Sequence, residues 1–315
     1  MNRITNFILS PTRLVKHLVL YTLHLLYKFS ICNCFHLIGI KLGAHVAIKG
    51  TYISRNVTID KHTKLFQSSV IGNTYVGESC EIIDSEVHGK IHINDSSQIL
   101  SSKLCGTINI GKESLINGAN INGDFTCKEH LRIFGPQVNI SGNVDIGRYS
   151  SISGPNFDIF SRINKVKIGS FCSIARNVSF QEYSHYTNKL STYFINQHLF
   201  GQSIDKDINS KGDIVVENDV WIGAHSVILS GAHISTGAII AANSVVNCYV
   251  PPYSIVGGSP AKIIRYRFDT DVIDTLLRLE WWNWSKEEIH KHKDIFNLDF
   301  SKPDNINILK STFPV

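Results

Sequence analysis

The chain has 315 residues, of which 43% are hydrophobic and 18% are charged, and its formal net charge is +5. This composition excludes a largely disordered chain, and the mild, scattered positive charge suits a phosphate-bearing ligand or an anionic lipid surface but not nucleic acid. The seven cysteines are an odd number without paired metal-ligand spacing. They indicate free thiols in a reducing compartment, which predicts a cytoplasmic protein without a bound metal.

Residues 1–40 differ in pattern from the rest of the chain and are predicted to contain a basic amphipathic helix at 13–29. Three interpretations remain open: the helix packs on the following domain or on a partner subunit, it lies in a bilayer interface, or it is a spanning segment or signal peptide. The second interpretation predicts peripheral contact with the inner face of the cytoplasmic membrane. The basic face consists of Arg13, Lys16, His17, His24 and Lys28, and the apolar face of Leu14, Leu18, Tyr21, Leu25 and Phe29.

A six-residue period of aliphatic side chains begins after residue 41 and is clearest at 216–250. No helix repeats at six residues and a flat strand repeats at two, whereas a triangular coil with one short strand per side has this period. The aliphatic position and the fifth position of each hexad then point inward and bury a continuous core. The sequence therefore predicts an all-β fold, a left-handed parallel β-helix over residues 41–262. The aliphatic positions are Val216, Ile222, Ile228, Ile234, Ile240 and Val246, and the fifth positions are Val220, Ser226, Ala232, Ala238, Ser244 and Val250.

The period is uneven before residue 181 and stops there. It slips repeatedly between residues 76 and 132, which we interpret as bulged corners of the same solenoid, and it makes a detour at 154–165. From 181 to 213 no hexad is legible, and an excursion of this length inside a solenoid is typical of a functional site. We therefore expect an active-site loop at 181–213. The legible positions before it are Ile53, Ile59, Leu65, Ile71, Ile140, Ile146, Ile152, Ile168, Ile174 and Phe180.

Residues 263–315 are predicted to form a C-terminal helical extension and tail. The proline pair at 251–252 halts the strands, because proline cannot donate to a ladder. An apolar stripe at 269–284 predicts a helix. Ser285 with Glu288 three residues later predicts a second, short helix that begins with a capping box.

Residues 211–223 and 250–262 contain the motifs Lys-Gly-Asp-Ile-Val, Asn-Asp-Val-Trp-Ile-Gly and Val-Pro-Pro-Tyr-Ser-Ile-Val-Gly-Gly-Ser-Pro-Ala-Lys, and residues 281–284 read Trp-Trp-Asn-Trp. These motifs resemble those of the hexapeptide-repeat O-acetyltransferases, particularly the branch of the xenobiotic acetyltransferases. The resemblance covers roughly residues 166–290. The longer N-terminal solenoid with its basic helix looks more like bacterial surface-polysaccharide acetyltransferases.

The resemblance implies which residues form the active site. The family's catalytic histidine lies in the loop that interrupts the β-helix, before a Ser-Thr-Tyr/Phe stretch, and the matching residue is His185. His198 is the other candidate in the loop. Tyr183, Tyr186 and Tyr193 are expected to contact the acceptor.

The resemblance also implies a binding site for the acetyl donor, acetyl-CoA, along the coil corners. Small residues there would let the pantetheine arm approach the backbone. The family usually has Thr-Lys where this chain has Asn247-Cys248. The matching positions are Trp221 at the acetyl group or at a coil edge, Ala224 and Ala242 at the pantetheine, Asn247 and Cys248 near the adenine, and Lys262 and Arg265 near the phosphates.

The activity that the resemblance implies is acetyl-CoA-dependent O-acetylation of a sugar hydroxyl in a capsule or lipopolysaccharide glycan, by direct transfer in a ternary complex. The implied assembly is a homotrimer with active sites between subunits. Alternatives are an N-acyltransferase on an amino sugar, a small-molecule xenobiotic acetyltransferase, and a structural or glycan-binding solenoid without catalysis. A zinc hydratase on the same solenoid would need three converging histidines, for which His88, His92 and His130 are the candidates.

Overall fold

The computed structural model describes residues 39–54, 56–300 and 302–313. The helix predicted at 13–29 lies outside these residues. Within them, no helix is long and apolar enough to cross a membrane.

The chain winds into a parallel β-solenoid with three faces, and the predicted solenoid is confirmed. Most coils contribute one short strand to each face, and most strands pair in parallel with their equivalents in the next coil. On the third face of the described chain, the two coils between Glu86–Val87 and Val138–Ile146 contribute no strand, only the isolated bridge of Glu86 with Lys103. The strand Val138–Ile146 bends round a corner, so its first half belongs to the third face and its second half to the first face.

The strands of each face have the following bounds. The first face contains Lys41–Leu42, Val57–Ile59, Thr74–Val76, Ile91–Ile93, Gly106–Ile110, Gly123–Cys127, part of Val138–Ile146, Val166–Ile168, Ile214–Val216, His233–Ile234 and Tyr249–Val250. The second face contains Ala47–Lys49, Lys64–Phe66, Glu81–Ile83, Gln98–Leu100, Leu115–Asn117, Arg132–Phe134, Ser151–Ser153, Ser173–Ile174, Trp221–Ile222, Ile239–Ile240, Ser254–Gly257 and the antiparallel Lys262–Tyr266. The third face contains Tyr52–Ile53, Ser69–Val70, Glu86–Val87, the rest of Val138–Ile146, Phe157–Phe160, Ser179–Gln181, Val227–Leu229 and Val245–Val246.

The core is one continuous column of apolar, mainly aliphatic side chains from Val57 to Val256. All twelve inward positions predicted at 216–250 are buried, which confirms the hexad interpretation there. Cys172 follows the inward Ile168 by four residues and is 1% exposed. Burial raises the pKa of its thiol to about 12, so this group behaves as a small apolar side chain.

The slips between residues 76 and 132 have a regular cause. Here, strand partners such as Val76 and Ile93 are 17 residues apart, because one side of each coil is one residue shorter than a hexad, and the same holds for the preceding coil, from Ile59 to Val76. The inward residue after Leu65 is therefore Val70, which is fully buried, and not Ile71, which is half-buried; the prediction for Ile71 was wrong. Further along, Val216 and Ile234 are 18 residues apart, as the hexad predicts, whereas Ile234 and Val250 in the last coil are 16 apart.

The predicted detour at 154–165 is only partly outside the sheet. It contains the strand Phe157–Phe160, which pairs with neighbours on both sides and buries Phe157 and Ile159. The six-residue period does not reveal this strand, because the corner before it is longer than usual.

The C-terminal extension begins with the strand Lys262–Tyr266 and continues as helices that pack on the solenoid. Helix α2 (Thr270–Leu279) is shorter than the predicted 269–284, because Glu280 adopts a left-handed conformation with φ 44° and ends it. A 3-10 turn (Trp281–Asn283) follows. The predicted capping box of Ser285 and Glu288 is confirmed. The remaining elements are α3 (Lys286–Lys291), a 3-10 turn (Lys293–Asn297) and α4 (Pro303–Thr312), while α1 (Ile195–His198) lies in the loop described next.

Candidate active site

A long loop, residues 182–213, leaves the solenoid at the corner between the third and the first face. The third-face strand ends at Gln181 and the first-face strand resumes at Ile214, so the bounds agree with the predicted 181–213. Its stem is a two-stranded antiparallel ladder that pairs Ser184 with Asn209 and His185 with Ile208. The loop is thus an ordered lobe built on one corner of the coil. Between these two strands it contains α1 and a 3-10 turn (Ile204–Lys206).

The base of the loop is fixed by Glu182, whose side chain is fully buried. Its carboxylate accepts hydrogen bonds from the backbone N–H groups of Arg162 and Ile163, both at 2.9 Å, and from the side chain of Asn164 at 3.1 Å. The hydroxyl of Ser210 donates to the backbone carbonyl of Glu182 at 2.6 Å. These bonds tie both ends of the loop to the same corner, one coil earlier.

The far part of the loop is held by two aspartates. The buried carboxylate of Asp207 accepts hydrogen bonds from the backbone N–H and side chain of Asn196 and from the backbone N–H of Gln197, and so caps the start of α1. Asp205 forms an ion pair with Arg162 at 2.7 Å, and this guanidinium lowers the pKa of the carboxyl. The ion pair of Asp205 with Arg162 links the lobe to the solenoid, whereas the bonds of Asp207 hold α1 within the lobe.

The imidazole of His185 is exposed and packs against the ring of Phe194, with 4.4 Å between centroids. Its backbone partner in the stem, Ile208, is buried, which fixes the position of the strand that carries it. Within the described part of the chain its ring nitrogens have no hydrogen-bond partner. An imidazole placed in this way can accept a proton from a bound molecule.

His198, the other candidate, is engaged within the loop. Its Nδ1 lies 3.1 Å from the hydroxyl of Tyr193, and its ring lies beside that of Phe194. The three tyrosines predicted to bind the acceptor are on the same lobe. Tyr183 and Tyr186 are half-buried, the latter with the Lys189 ammonium 3.7 Å above its ring, and Tyr193 is 58% exposed.

Three of the predicted CoA positions lie together at a different corner, between the second and the third face. Ala224 and Ala242 follow equivalent second-face strands in successive coils, and Lys262 lies opposite Gly257, where the next of these strands ends. Ala242 is exposed and Ala224 half-buried. The side chain of Lys262 is exposed and has no ion-pair partner among the residues described. This corner could admit a slender chain along the backbone and neutralise a phosphate at its end.

The other four predicted CoA positions are more widely spread. Trp221 is 53% exposed on the second face, and Arg265 lies on the same face, three strands further along the sheet. Asn247 and Cys248 are exposed at the corner of the loop, two coils beyond it. One copy of the chain therefore carries His185 on one corner and the Ala224, Ala242 and Lys262 group on another.

The histidines considered for a metal site have other neighbours. His92 stacks on Tyr75 with 4.4 Å between ring centroids, and His130 stacks on Tyr149 at 4.3 Å. The Nε2 of His88 lies 3.7 Å from a carboxylate oxygen of Glu86. No cluster of three metal-ligating side chains occurs in residues 39–54, 56–300 and 302–313.

Sequence reasoning missed the residues that hold the loop, chiefly Glu182 and Asp207. The sequence contains one indication for Glu182. It lies two residues after the inward Phe180, and in a strand residues two apart point to the same side, so an inward direction could have been expected for this acidic side chain. Its hydrogen-bond donors are about 20 residues earlier in the chain, and no local pattern connects them.

Comparison with known proteins identifies relatives of this chain, although no family model matches it. Over 161 residues it is 43% identical to a probable macrolide acetyltransferase of Lysinibacillus sphaericus, which covers 46% of this chain and 88% of the relative. Over 166 residues it is 38% identical to a chloramphenicol acetyltransferase of Klebsiella aerogenes, covering 47% of this chain and 79% of the relative.

A solved hexapeptide-repeat acetyltransferase of Vibrio cholerae, in complex with acetyl-CoA, is 31% identical, with a TM-score of 0.29 over 46% of this chain and 66% of that one. The identity to the macrolide acetyltransferase extends over most of that relative's length. The predicted family and enzyme class are therefore confirmed, and the chain belongs to the hexapeptide-repeat acetyltransferases.

Proposed function

We propose that this protein transfers an acetyl group from acetyl-CoA to a sugar hydroxyl of a bacterial capsule or lipopolysaccharide glycan. The observation that carries the proposal is His185, an exposed imidazole on an ordered stem beside the solenoid, with ring nitrogens that no described residue engages. The predicted basic helix at 13–29 would keep the enzyme near lipid-linked glycans at the inner face of the cytoplasmic membrane.

The chemistry requires one base and close alignment of two substrates. A sugar hydroxyl is a weak nucleophile at neutral pH, so the neutral imidazole of His185 takes its proton as the oxygen attacks the thioester carbonyl. The new C–O bond forms, the C–S bond breaks, and the proton passes from the imidazole to the leaving thiolate. Because both substrates are bound together, their alignment supplies much of the rate and no covalent enzyme intermediate is needed.

The residues at the corner between the second and the third face fit the CoA arm. Ala224 and Ala242 leave the backbone accessible, so its N–H and carbonyl groups could bond to the amides of pantetheine. Lys262 and Arg265 are exposed cations three residues apart on the last strand and would bind the phosphates. Asn247 and Cys248, on the loop corner of a neighbouring copy, would lie near the adenine, and the exposed ring of Trp221 near the acetyl group.

The separation of these groups on two corners supports a homotrimer as the active form. A three-fold axis parallel to the solenoids would bring the loop corner of one copy against the CoA corner of the next. His185 of one subunit would then face the thioester bound along another. In this arrangement an isolated chain would have no complete site.

The identity to macrolide and chloramphenicol acetyltransferases favours a second candidate, a small-molecule acceptor. Acceptor profiling distinguishes the two. We expect the purified protein with acetyl-CoA to release CoA in the presence of fragments of capsular or O-antigen polysaccharide, and mass spectrometry to find one added acetyl group per modified sugar. Turnover with chloramphenicol or a macrolide but with no saccharide would reject the glycan proposal.

A further inference from the structure

A polar groove of about 720 Å³ follows the loop corner towards the N-terminal end of the solenoid. Four successive coils contribute three residues each, and the loop contributes Tyr183 at the end nearest to His185. The contributing segments are 105–107, 122–124, 141–143 and 160–162.

The groove is open because each of the first three coils places a glycine at the middle of this corner. A Cβ on Gly123 would lie 2.6 Å from the carbonyl oxygen of Gly106, and a Cβ on Gly142 would overlap the carbonyl oxygen of Ser161. Gly142 also has φ 97°, a conformation that other residues rarely adopt. The close stacking of the corners therefore requires glycine, and the corner has no side chain that could cover it.

The rim of the groove consists of side chains that are free to bond to a ligand. Thr107, Asn122, Asp124 and Asn143 are exposed, and their side chains have no hydrogen-bond partner in the part of the chain that the structure describes. Hydroxyl, carboxylate and amide groups together offer both donors and acceptors. The charges in the groove are Asp124 and Arg162, and Arg162 is paired with Asp205. This chemistry suits a neutral, hydroxyl-rich ligand.

Two aromatic side chains and a second cavity link the groove to the loop. Phe160 is 45% exposed and Tyr183 lies two residues before His185, so both could pack against the apolar face of a sugar ring. Arg162 separates the groove from a smaller cavity of about 420 Å³ under the loop, which Tyr186 and Ile208 also line. An extended ligand bound in the groove would thus reach the loop that carries His185.

We propose that this groove binds an extended, neutral glycan, and that it holds the sugar units that precede the acetylated one. Neighbouring coils are about 4.8 Å apart, so the four coils span roughly 14 Å, which exceeds one sugar ring. The inference rests on the proposed function and adds to it that the acceptor is a polymer, recognised over several units.

The test is the dependence of acetylation on acceptor length. An array of bacterial capsular and O-antigen polysaccharides identifies the glycan that is acetylated, and its fragments are then separated by size. We expect kcat/KM of the unaltered protein to rise with the number of sugar units. The double variant Asn122→Ala with Asn143→Ala should lose about tenfold in kcat/KM on long fragments and little on the shortest.

Asn117→Ala is the matched control, because Asn117 is an exposed asparagine of the same coil as Asn122 but lies on the second face. The KM for acetyl-CoA should stay the same in all variants. A flat length dependence, or an equal loss on short and long fragments, would overturn the groove inference while the proposed function stands. Failure to acetylate any glycan would overturn the proposed function itself. A shift of the variants from trimer to monomer would instead identify the groove as a subunit interface and reject glycan binding there.

Discussion

The same corner of the solenoid differs completely between its two halves. In the N-terminal half, the corner between the third and the first face is a row of glycines with a polar groove on it. In the C-terminal half, the chain leaves this corner for the lobe 182–213 that carries His185. The core behind both is the same column of aliphatic side chains. Because inward positions stabilise the coil, corners can change without loss of the fold, and functional groups accumulate there.

The largest effect on activity should come from a substitution in the lobe 182–213, on the C-terminal part of this corner. Replacing His185 by alanine should lower kcat about 10²-fold to 10⁴-fold, since proton transfer by a positioned side chain contributes about this much. The KM for acetyl-CoA should change little, because Ala224, Ala242 and Lys262, which would hold the pantetheine and a phosphate, are on another corner. Initial rates of thiol release measure both constants. His290→Ala, on the C-terminal helix α3, is the control. Unchanged turnover of the His185 variant would remove this residue from the mechanism.

A pair of core variants tests whether the two halves are equally well packed. Ile116 in a 17-residue coil and Ile222 in a hexad coil are both fully buried. Truncation of either to alanine should lower the free energy of unfolding by about 2–5 kcal/mol, through lost burial and the cavity that remains. Thermal unfolding and hydrogen exchange of each half measure the losses. A clearly smaller loss for Ile116→Ala would contradict a continuous core.

The base of the lobe should matter more than its outer contacts. Glu182→Ala leaves two backbone N–H groups without their buried acceptor, at a cost of about 1–3 kcal/mol, and should loosen the loop. We expect kcat to fall about tenfold and limited proteolysis within 182–213 to accelerate. Asp205→Ala removes the exposed ion pair with Arg162 and the hydrogen bond from the Ser203 hydroxyl, and should change either measurement much less. Equal effects would show that Glu182 does not anchor the site.

The smallest effect on activity should come from a substitution at the corner between the second and the third face, where we propose that CoA binds. Lys262→Ala should raise the KM for acetyl-CoA several-fold, about the value of one exposed charge contact with a phosphate, and leave kcat nearly unchanged. The effect should weaken as salt is added, because exposed charges are screened. Lys286→Ala, an exposed lysine on α3, serves as the control. A fall in kcat without a change in KM would contradict a role in binding the donor.

The sequence predicted the fold best where the six-residue period of inward side chains repeats without interruption. From Val216 to Val246 successive inward aliphatic residues are six apart, and every inward position predicted at 216–250 is buried. In this stretch only the last coil is shorter, since Ile234 pairs with Val250, 16 residues later. In the N-terminal half, a side that is one residue shorter shifts the phase by one in every coil, and the prediction for Ile71 was wrong for this reason. The capping box at Ser285 was predictable because both of its residues lie within one helical turn.

The candidate site was predictable only in part. The length and composition of 181–213 indicated an active-site loop, and the resemblance selected His185 within it. The anchoring of the loop depends on Glu182 and the segment 162–164 of the preceding coil, which are brought together only by folding. The groove depends on glycines in successive coils, whose shared corner becomes visible only when the coils are stacked.

The most direct test of a site shared between subunits is complementation in mixed trimers. His185→Ala removes the base, and Ala242→Trp blocks the CoA corner, so each variant alone should be nearly inactive. When the two are expressed together and assemble at random, about one interface in four combines an intact loop with an intact corner. We predict recovery of about a quarter of the unaltered activity, measured as acetyl transfer per trimer. No recovery in trimers proven to contain both variants would contradict an active site built from two chains.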